Sequence, residues 1–265
     1  MQYRETKYLA ADVEAAIVEM ADAHKRLHLM RFFKTAPGEY GHGDLFLGVT
    51  APQVRSVVKE AKRQVDTDQI HLLLMSPYHE VRLCGFLLTV ELMLAARPRR
   101  TGDNRARAVE RRRLAEFYLA HARQANNWDL VDMSCPKILG TYLVYPDENG
   151  TLPLTDILLQ LAASTNLWEQ RIAMVTNWML VRHDMFEPLI TIADRLLSHP
   201  HDLIHKAVGW MLREMGKRQP ELLHHYLLTR LPRMHRTTLR YAIELLPITD
   251  RQYYLHLPTK PSEAR

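Results

Sequence analysis

Trp168-Glu169-Gln170-Arg171-Ile172-Ala173, Leu203-Ile204-His205-Lys206-Ala207-Val208 and Thr237-Thr238-Leu239-Arg240-Tyr241-Ala242 share one pattern: a cation just inside a helix start, then an apolar residue, then a small or apolar one. His79-Glu80-Val81-Arg82-Leu83-Cys84 repeats it earlier in the chain. Arg171, Lys206 and Arg240 recur 35 and 34 residues apart. Helix pairs at that period mark an α-solenoid, in which each unit buries its apolar face against its neighbours. A further unit is expected between Arg82 and Arg171, and Asn126 to Met133 opens it, with Asp132 39 residues before Arg171. The extra length fits the loop Tyr145-Pro146-Asp147-Glu148-Asn149-Gly150, which has turn composition. One repeat therefore carries a carboxylate, Asp132, where its neighbours carry cations.

Helical spacing extends beyond these segments. Leu72 to Met75 close one helix that Pro77 breaks, and the next runs from about Glu80 to Leu94 with Leu83, Phe86, Leu87, Val90 and Met93 on its apolar face. No period-2 alternation bounded by Asn-Gly or Asp-Gly turns appears, so no strand is expected. The expected fold class is all-α: an α-solenoid of HEAT-like helical repeats, curved, with a basic concave face. Residues 1–257 are read as a single domain and 258–265 as a disordered tail. Hydrophobic residues at 47% and charged residues at 25% are ordinary for a globular chain, and only 10 glycines favour helix. The net charge of +5 agrees with a polyanionic partner without requiring one. Cys84 and Cys135 form no CxxC pair, which argues against a disulfide framework or zinc site. Met1 to Ala11 lacks the apolar core of a signal peptide, and no stretch is long and apolar enough to span a membrane. A cytoplasmic monomer without cofactor is the expectation.

A solenoid stacks equivalent positions of successive repeats along one face. Arg171, Lys206 and Arg240 would form a ladder there, ending at Asp132. Trp128 precedes Asp132 by four residues and shares its side of the helix. Trp210 follows Lys206 by four residues, with Arg213 close behind. Indoles, a carboxylate and cations suit a damaged nucleotide. Guanidinium groups grip phosphates, aromatic faces meet a cationic sugar or base, and the carboxylate stabilises developing positive charge. Structural readings stay open beside this one: Asp132 could pair with Arg171, and the cations could hold the repeats together. Trp168 and Trp178 are read as core. Arg97 to Arg113 holds eight arginines, to be read either as a solvated connector or as a phosphate-contacting flank. His201 and His205, and the adjacent His224-His225, lack an HExxH or Cys/His partner set, so no metal is expected. GxSxG, P-loop and GxGxxG motifs are absent, and Gly38 to Gly48 reads as an ordered loop between helices.

Phe32-Phe33-Lys34, followed by Phe46-Leu47-Gly48-Val49 with Pro52 and Arg55, resembles the N-terminal signature of the AlkD-like DNA alkylation repair glycosylases. Asn127-Trp128-Asp129-Leu130-Val131-Asp132 resembles their Trp-Asp-x-Val-Asp motif, and Leu167-Trp168-Glu169-Gln170-Arg171 and Gly209-Trp210-Met211-Leu212-Arg213 resemble two more. The likeness runs in order over roughly residues 25 to 250. It implies a HEAT-like solenoid that cups duplex DNA and excises cationic N3- and N7-alkylated purines without base flipping. By resemblance Asp132 is the catalytic carboxylate, with Trp128 and Trp210 flanking the lesion's deoxyribose. Arg171 and Arg213 would contact the backbone, and Lys206, Lys34, Arg55 and Phe32 complete the expected DNA-binding set. Phe32 stands where the family often has a tyrosine. The implied partner is duplex DNA with alkylated bases. The rivals are a non-catalytic relative that binds branched or distorted DNA and a scaffold for protein partners.

Overall fold

The computed structural model describes residues 8–258, which form sixteen α-helices and two short 3-10 turns with no strand among them. The one β-type contact among the described residues is an isolated bridge between Leu45 and Tyr78. The expected tail lies, from residue 259 onward, outside the described residues, as do residues 1–7. The chain divides into two compact units, one up to Ile138 together with Asp147–Gly150, the other Leu139–Pro146 together with everything from Thr151.

The first unit holds α1 (Ala10–Val18), α2 (Ala23–Phe32), α3 (Ala51–Ala61), α4 (Thr67–Leu74), α5 (His79–Ala95), α6 (Arg105–Ala120) and α7 (Trp128–Ser134). Its centre is α5, against which α1, α3, α4, α6 and α7 all pack. Every residue from His79 to Val90 is buried, as a helix surrounded by others requires. Cys84 lies inside this core and Cys135 just after α7, both buried as free thiols. Burial pushes the Cys84 thiol up to about 12.

The arginine-rich stretch before and within α6 has largely structural work. Arg107 donates to the carbonyls of Ala95 and Arg97, and Arg111, itself buried, donates to that of Ala96 at 3.0 Å. These are carbonyls at the C-terminal end of α5, where a helix has acceptors to satisfy and favours positive charge. Arg112 pairs with Glu148, and Arg113 with Glu110 at 2.7 Å. The Arg112 pair ties the Asp147–Gly150 loop to this unit. Arg99, Arg100 and Arg105 are exposed.

The second unit holds α8 (Leu139–Val144), α9 (Asp156–Ala163), α10 (Leu167–Val175), α11 (Asn177–Arg182), α12 (Glu187–Leu196), α13 (Asp202–Arg218), α14 (Pro220–Arg230), α15 (Arg236–Ala242) and α16 (Ile248–His256). Here α13 is central, packed by α10, α11, α12, α14 and α15. It begins with Asp202 and ends with Lys217 and Arg218, the charge order that complements a helix dipole. At Gly209 the neighbouring α15 comes so near that an added Cβ would lie 2.5 Å from the Thr238 carbonyl oxygen and 2.5 Å from Tyr241 Cβ. Glycine is what permits that approach.

The repeat pattern is realised in the helix starts. α5, α10, α13 and α15 open at the four predicted segments, and Arg171, Lys206 and Arg240 are each the fifth residue of their helix, as Asp132 is of α7. Packed helices within each unit, with these recurring starts, are the all-α, solenoid-like architecture the period implies.

Candidate catalytic and DNA-binding site

The carboxylate-bearing repeat is built from the cap inward. Asn127 adopts extended backbone and its side-chain oxygen accepts from Trp128 N at 2.9 Å, starting α7. Its amide nitrogen donates to the Phe33 carbonyl at 3.3 Å. That bond ties α7 to the chain leaving α2, where Lys34 turns out of the helix at φ 57°. Phe33 stacks on Trp128 with ring centroids 5.3 Å apart, and Phe32 meets the same indole edge-on at 5.8 Å. Phe33 also stacks on Phe46 at 5.2 Å. Two motifs almost a hundred residues apart thus form one aromatic cluster. Trp128 and Asp132 are both half-buried, while Phe32 is 54% exposed at the rim.

Beneath the cluster lies a buried charge network that sequence reasoning did not foresee. His79 opens α5, and its ring lies 2.7 Å from Asp44 through Nδ1 and 2.9 Å from Asp129 through Nε2. Burial alone would push this imidazole down. Asp129 and then Asp44 outweigh it and raise the pKa to about 9, so both ring nitrogens carry protons to donate. Arg82 donates to Asp44 as well, and to Asn126 Oδ1 at 2.9 Å. Burial would raise the Asp44 pKa, but His79 and Arg82 hold it below the usual carboxylate range. The neighbouring Glu80 gathers the backbone N–H groups of Leu47, Gly48 and Val49 at 2.8–3.1 Å. Gly48 has φ +89°, and a Cβ there would sit 2.0 Å from the Asp22 carbonyl oxygen. His79 and Glu80 together clamp the 44–49 loop and the start of α7, which carries Trp128 and Asp132.

Tyr118 lies against Ser134 of α7, and burial above all pushes its phenol up, with Cys135 and then the Asp132 carboxylate adding to the effect. Arg55 of α3 reaches Met133 Sδ at 3.4 Å, beside Asp132 in sequence. Lys34 is exposed and 3.8 Å from Glu39. Of the expected residues, the first unit therefore joins Phe32 to Trp128 and brings Arg55 to the helix of Asp132.

In the second unit the helix-start cations have different surroundings. Arg171 is buried at 5% exposure and donates to the Leu203 carbonyl in the first turn of α13 at 2.6 Å, linking one repeat to the next. Arg82 is likewise buried. Lys206 is half-exposed and pairs with Asp202 at 2.8 Å, while Arg240 is exposed. Arg213 pairs with Glu244 and lies 3.6 Å from Glu214. Trp210 is half-buried. Trp168 is buried, and the Arg182 guanidinium covers Trp178 at 4.7 Å. His201 caps α13 by accepting from Leu203 N at 3.1 Å, which needs an unprotonated Nδ1. Burial, with His205, Arg171 and Lys206, holds its pKa down against Asp202. Among the described residues no group of three or more His, Cys, Asp or Glu side chains is arranged to hold a metal ion. No described helix is long and apolar enough to cross a membrane.

The family model of the DNA alkylation repair enzymes matches residues 13–246, most of the chain and all of the elements just described except the start of α1 and α16. The protein belongs to that family. Membership gives this DNA alkylation repair protein a role in DNA repair. Among solved structures it is similar to a predicted DNA alkylation repair enzyme from Enterococcus faecalis, with a TM-score of 0.63 at 16% identity, over 86% of this chain and 98% of that one. At that identity the likeness speaks for the fold. No curated protein matches this family member.

Proposed function

We propose that the protein is a DNA glycosylase, a cytoplasmic monomer that hydrolyses the N-glycosidic bond of cationic N3- and N7-alkylated purines in duplex DNA without flipping the base. The observation that carries this reading is the pairing of Trp128 and Asp132 one turn apart on α7, with the helix start clamped by the buried His79 network. A fixed carboxylate beside an aromatic wall favours charge that develops only in the transition state. As the C1′–N bond breaks, its electron pair moves to the purine, which leaves as a neutral base. No general acid is needed for that departure. Asp132 stabilises the oxocarbenium-like sugar and orients the water that adds to C1′, whose proton passes to the carboxylate or to solvent. Trp128 offers a face to the positive charge, a contact worth roughly 0.5–2 kcal/mol. We assign the same kind of contact to Trp210. Lys34, Arg55, Lys206, Arg213 and Arg171 are assigned to the duplex backbone, with Phe32 against the nucleotide.

The test is release of free base from duplexes containing 7-methylguanine, 3-methyladenine or uracil, followed by chromatography. The two cationic lesions should be excised and uracil left in place. Asp132→Asn should slow release by on the order of 10²-fold or more, the scale of losing one electrostatic stabiliser, while duplex affinity is kept. Equal rates for parent and variant would remove Asp132 from the chemistry. Tight binding of branched duplexes with no release from any lesion would favour a non-catalytic family member.

A further inference from the structure

Arg55, Lys59 and Lys62 follow one another along α3 at spacings of four and three, so their side chains leave the same side of the helix. They border a cleft of about 140 Å³ whose other walls include Leu87, Glu91 and Leu94 of α5 and Lys137 beyond α7. Four cations and a single carboxylate line it. That carboxylate, Glu91, is taken by Lys62 at 2.9 Å. Arg55, Lys59 and Lys137 form no ion pair within the cleft wall, although the charge of Glu91 reaches Lys137.

We propose that this cleft seats a phosphate group of the DNA backbone, held by Lys59 and Lys137 with Arg55 at the rim. The assignment rests on the reading of the protein as one that binds duplex DNA, and it extends the backbone contacts beyond those the motifs suggest. Three observations support it. The volume suits a phosphate with accompanying water, since each water takes about 30 Å³. Lys137 is half-buried, and burial first, then Arg55 and Arg97, pushes its pKa down while Glu91 opposes them. Cations crowded in this way repel one another, and an anion between them relieves the repulsion. The rim also adjoins the candidate site, because Arg55 touches Met133, the residue after Asp132. Arg55 thus lies against the same turn of α7 that carries Asp132.

The experiment is equilibrium binding of an undamaged duplex across a range of salt concentrations. Removing the partner of one phosphate lowers the magnitude of the slope of log K against log salt by about 0.9. Lys59→Gln with Lys137→Gln, which together remove the partners of one phosphate, should therefore flatten it by about 0.9. Glu91→Gln should do the reverse, tightening binding and steepening the slope, because it removes the carboxylate and frees Lys62. Arg195→Gln with Arg251→Gln, two exposed cations outside the cleft, serves as the control, and thermal midpoints verify that each variant is folded. An unchanged slope in the lysine pair, or equal flattening in the control pair, overturns the proposal. So does protection by inorganic phosphate alone with no effect on duplex binding, which would mark a pocket for free anions. If base release is intact but the slope is unmoved, the cleft assignment falls and the glycosylase reading stands. If release is absent but the slope flattens, the reverse holds. A parent protein that does not bind duplex DNA overturns both.

Discussion

His79 joins two carboxylates that are 35 and 50 residues away along the chain. Asp129 has its other oxygen buried without a hydrogen-bond partner among the described residues, so it leans on this ring. The raised pKa makes the network a stability term with a definite sign. A proton held more tightly in the folded state contributes stability that is fully present below the unfolded value, 6.5, and is lost as pH rises through about 9. The thermal midpoint should therefore decline between about pH 6.5 and 9. His79→Gln should flatten that decline and cost about 3–5 kcal/mol at neutral pH, because it strands buried charge. Identical pH profiles for parent and variant would show that folding leaves the His79 pKa unshifted. At this scale the sequence was legible only in part. Trp128 and Asp132 could be paired from their spacing of four. Nothing in the spacing of Asp44, His79 and Asp129 announces that they meet, because the loop and two helices that bring them together are joined only by folding. Adjacent His79 and Glu80 at the start of a largely apolar helix were the available hint.

Helix starts were the most legible elements, since a cap, a cation and an apolar period leave their marks within a few residues. Equivalent position did not mean equivalent surroundings. Arg171 and Lys206 are both the fifth residue of their helices, yet one is buried against a carbonyl of the next repeat and the other is half-exposed beside its own Asp202. The difference comes from the neighbouring helix, which the pattern of a single segment cannot report. The packing of α13 on α15 makes this measurable. Alanine normally stabilises a helix interior over glycine by about 1 kcal/mol. At Gly209 the new methyl would meet Thr238 and Tyr241 at 2.5 Å, and overpacking costs about 1–3 kcal/mol. Gly209→Ala should thus lower stability in urea denaturation. A gain would mean that the two helices have room between them.

For the molecule as a whole, the chain was expected to be one domain over residues 1–257, and its described residues pack as two units. A domain is defined by cooperativity as well as by contacts, and the tryptophans are distributed to measure it. Trp128 belongs to the first unit, and Trp168, Trp178 and Trp210 to the second. If the array is one domain, fluorescence of Trp128→Phe, which reports the second unit alone, should give the same urea midpoint as helical circular dichroism, which reports both. Separate midpoints would make the units independent. The repeat period could not decide this, because a solenoid's cooperativity depends on the strength of each junction between neighbours and not on their number.

The fate of the two sulfhydryl groups has a consequence for survival in the setting the family serves. Alkylating electrophiles attack thiolates in preference to thiols, and the chain has only Cys84 and Cys135. Both are enclosed, and Cys84 ionises only at about 12. A repair protein that meets the agents that damage its DNA thus keeps both of its thiols covered, and holds Cys84 protonated as well, so that it should be poorly consumed by the poison whose lesions it meets.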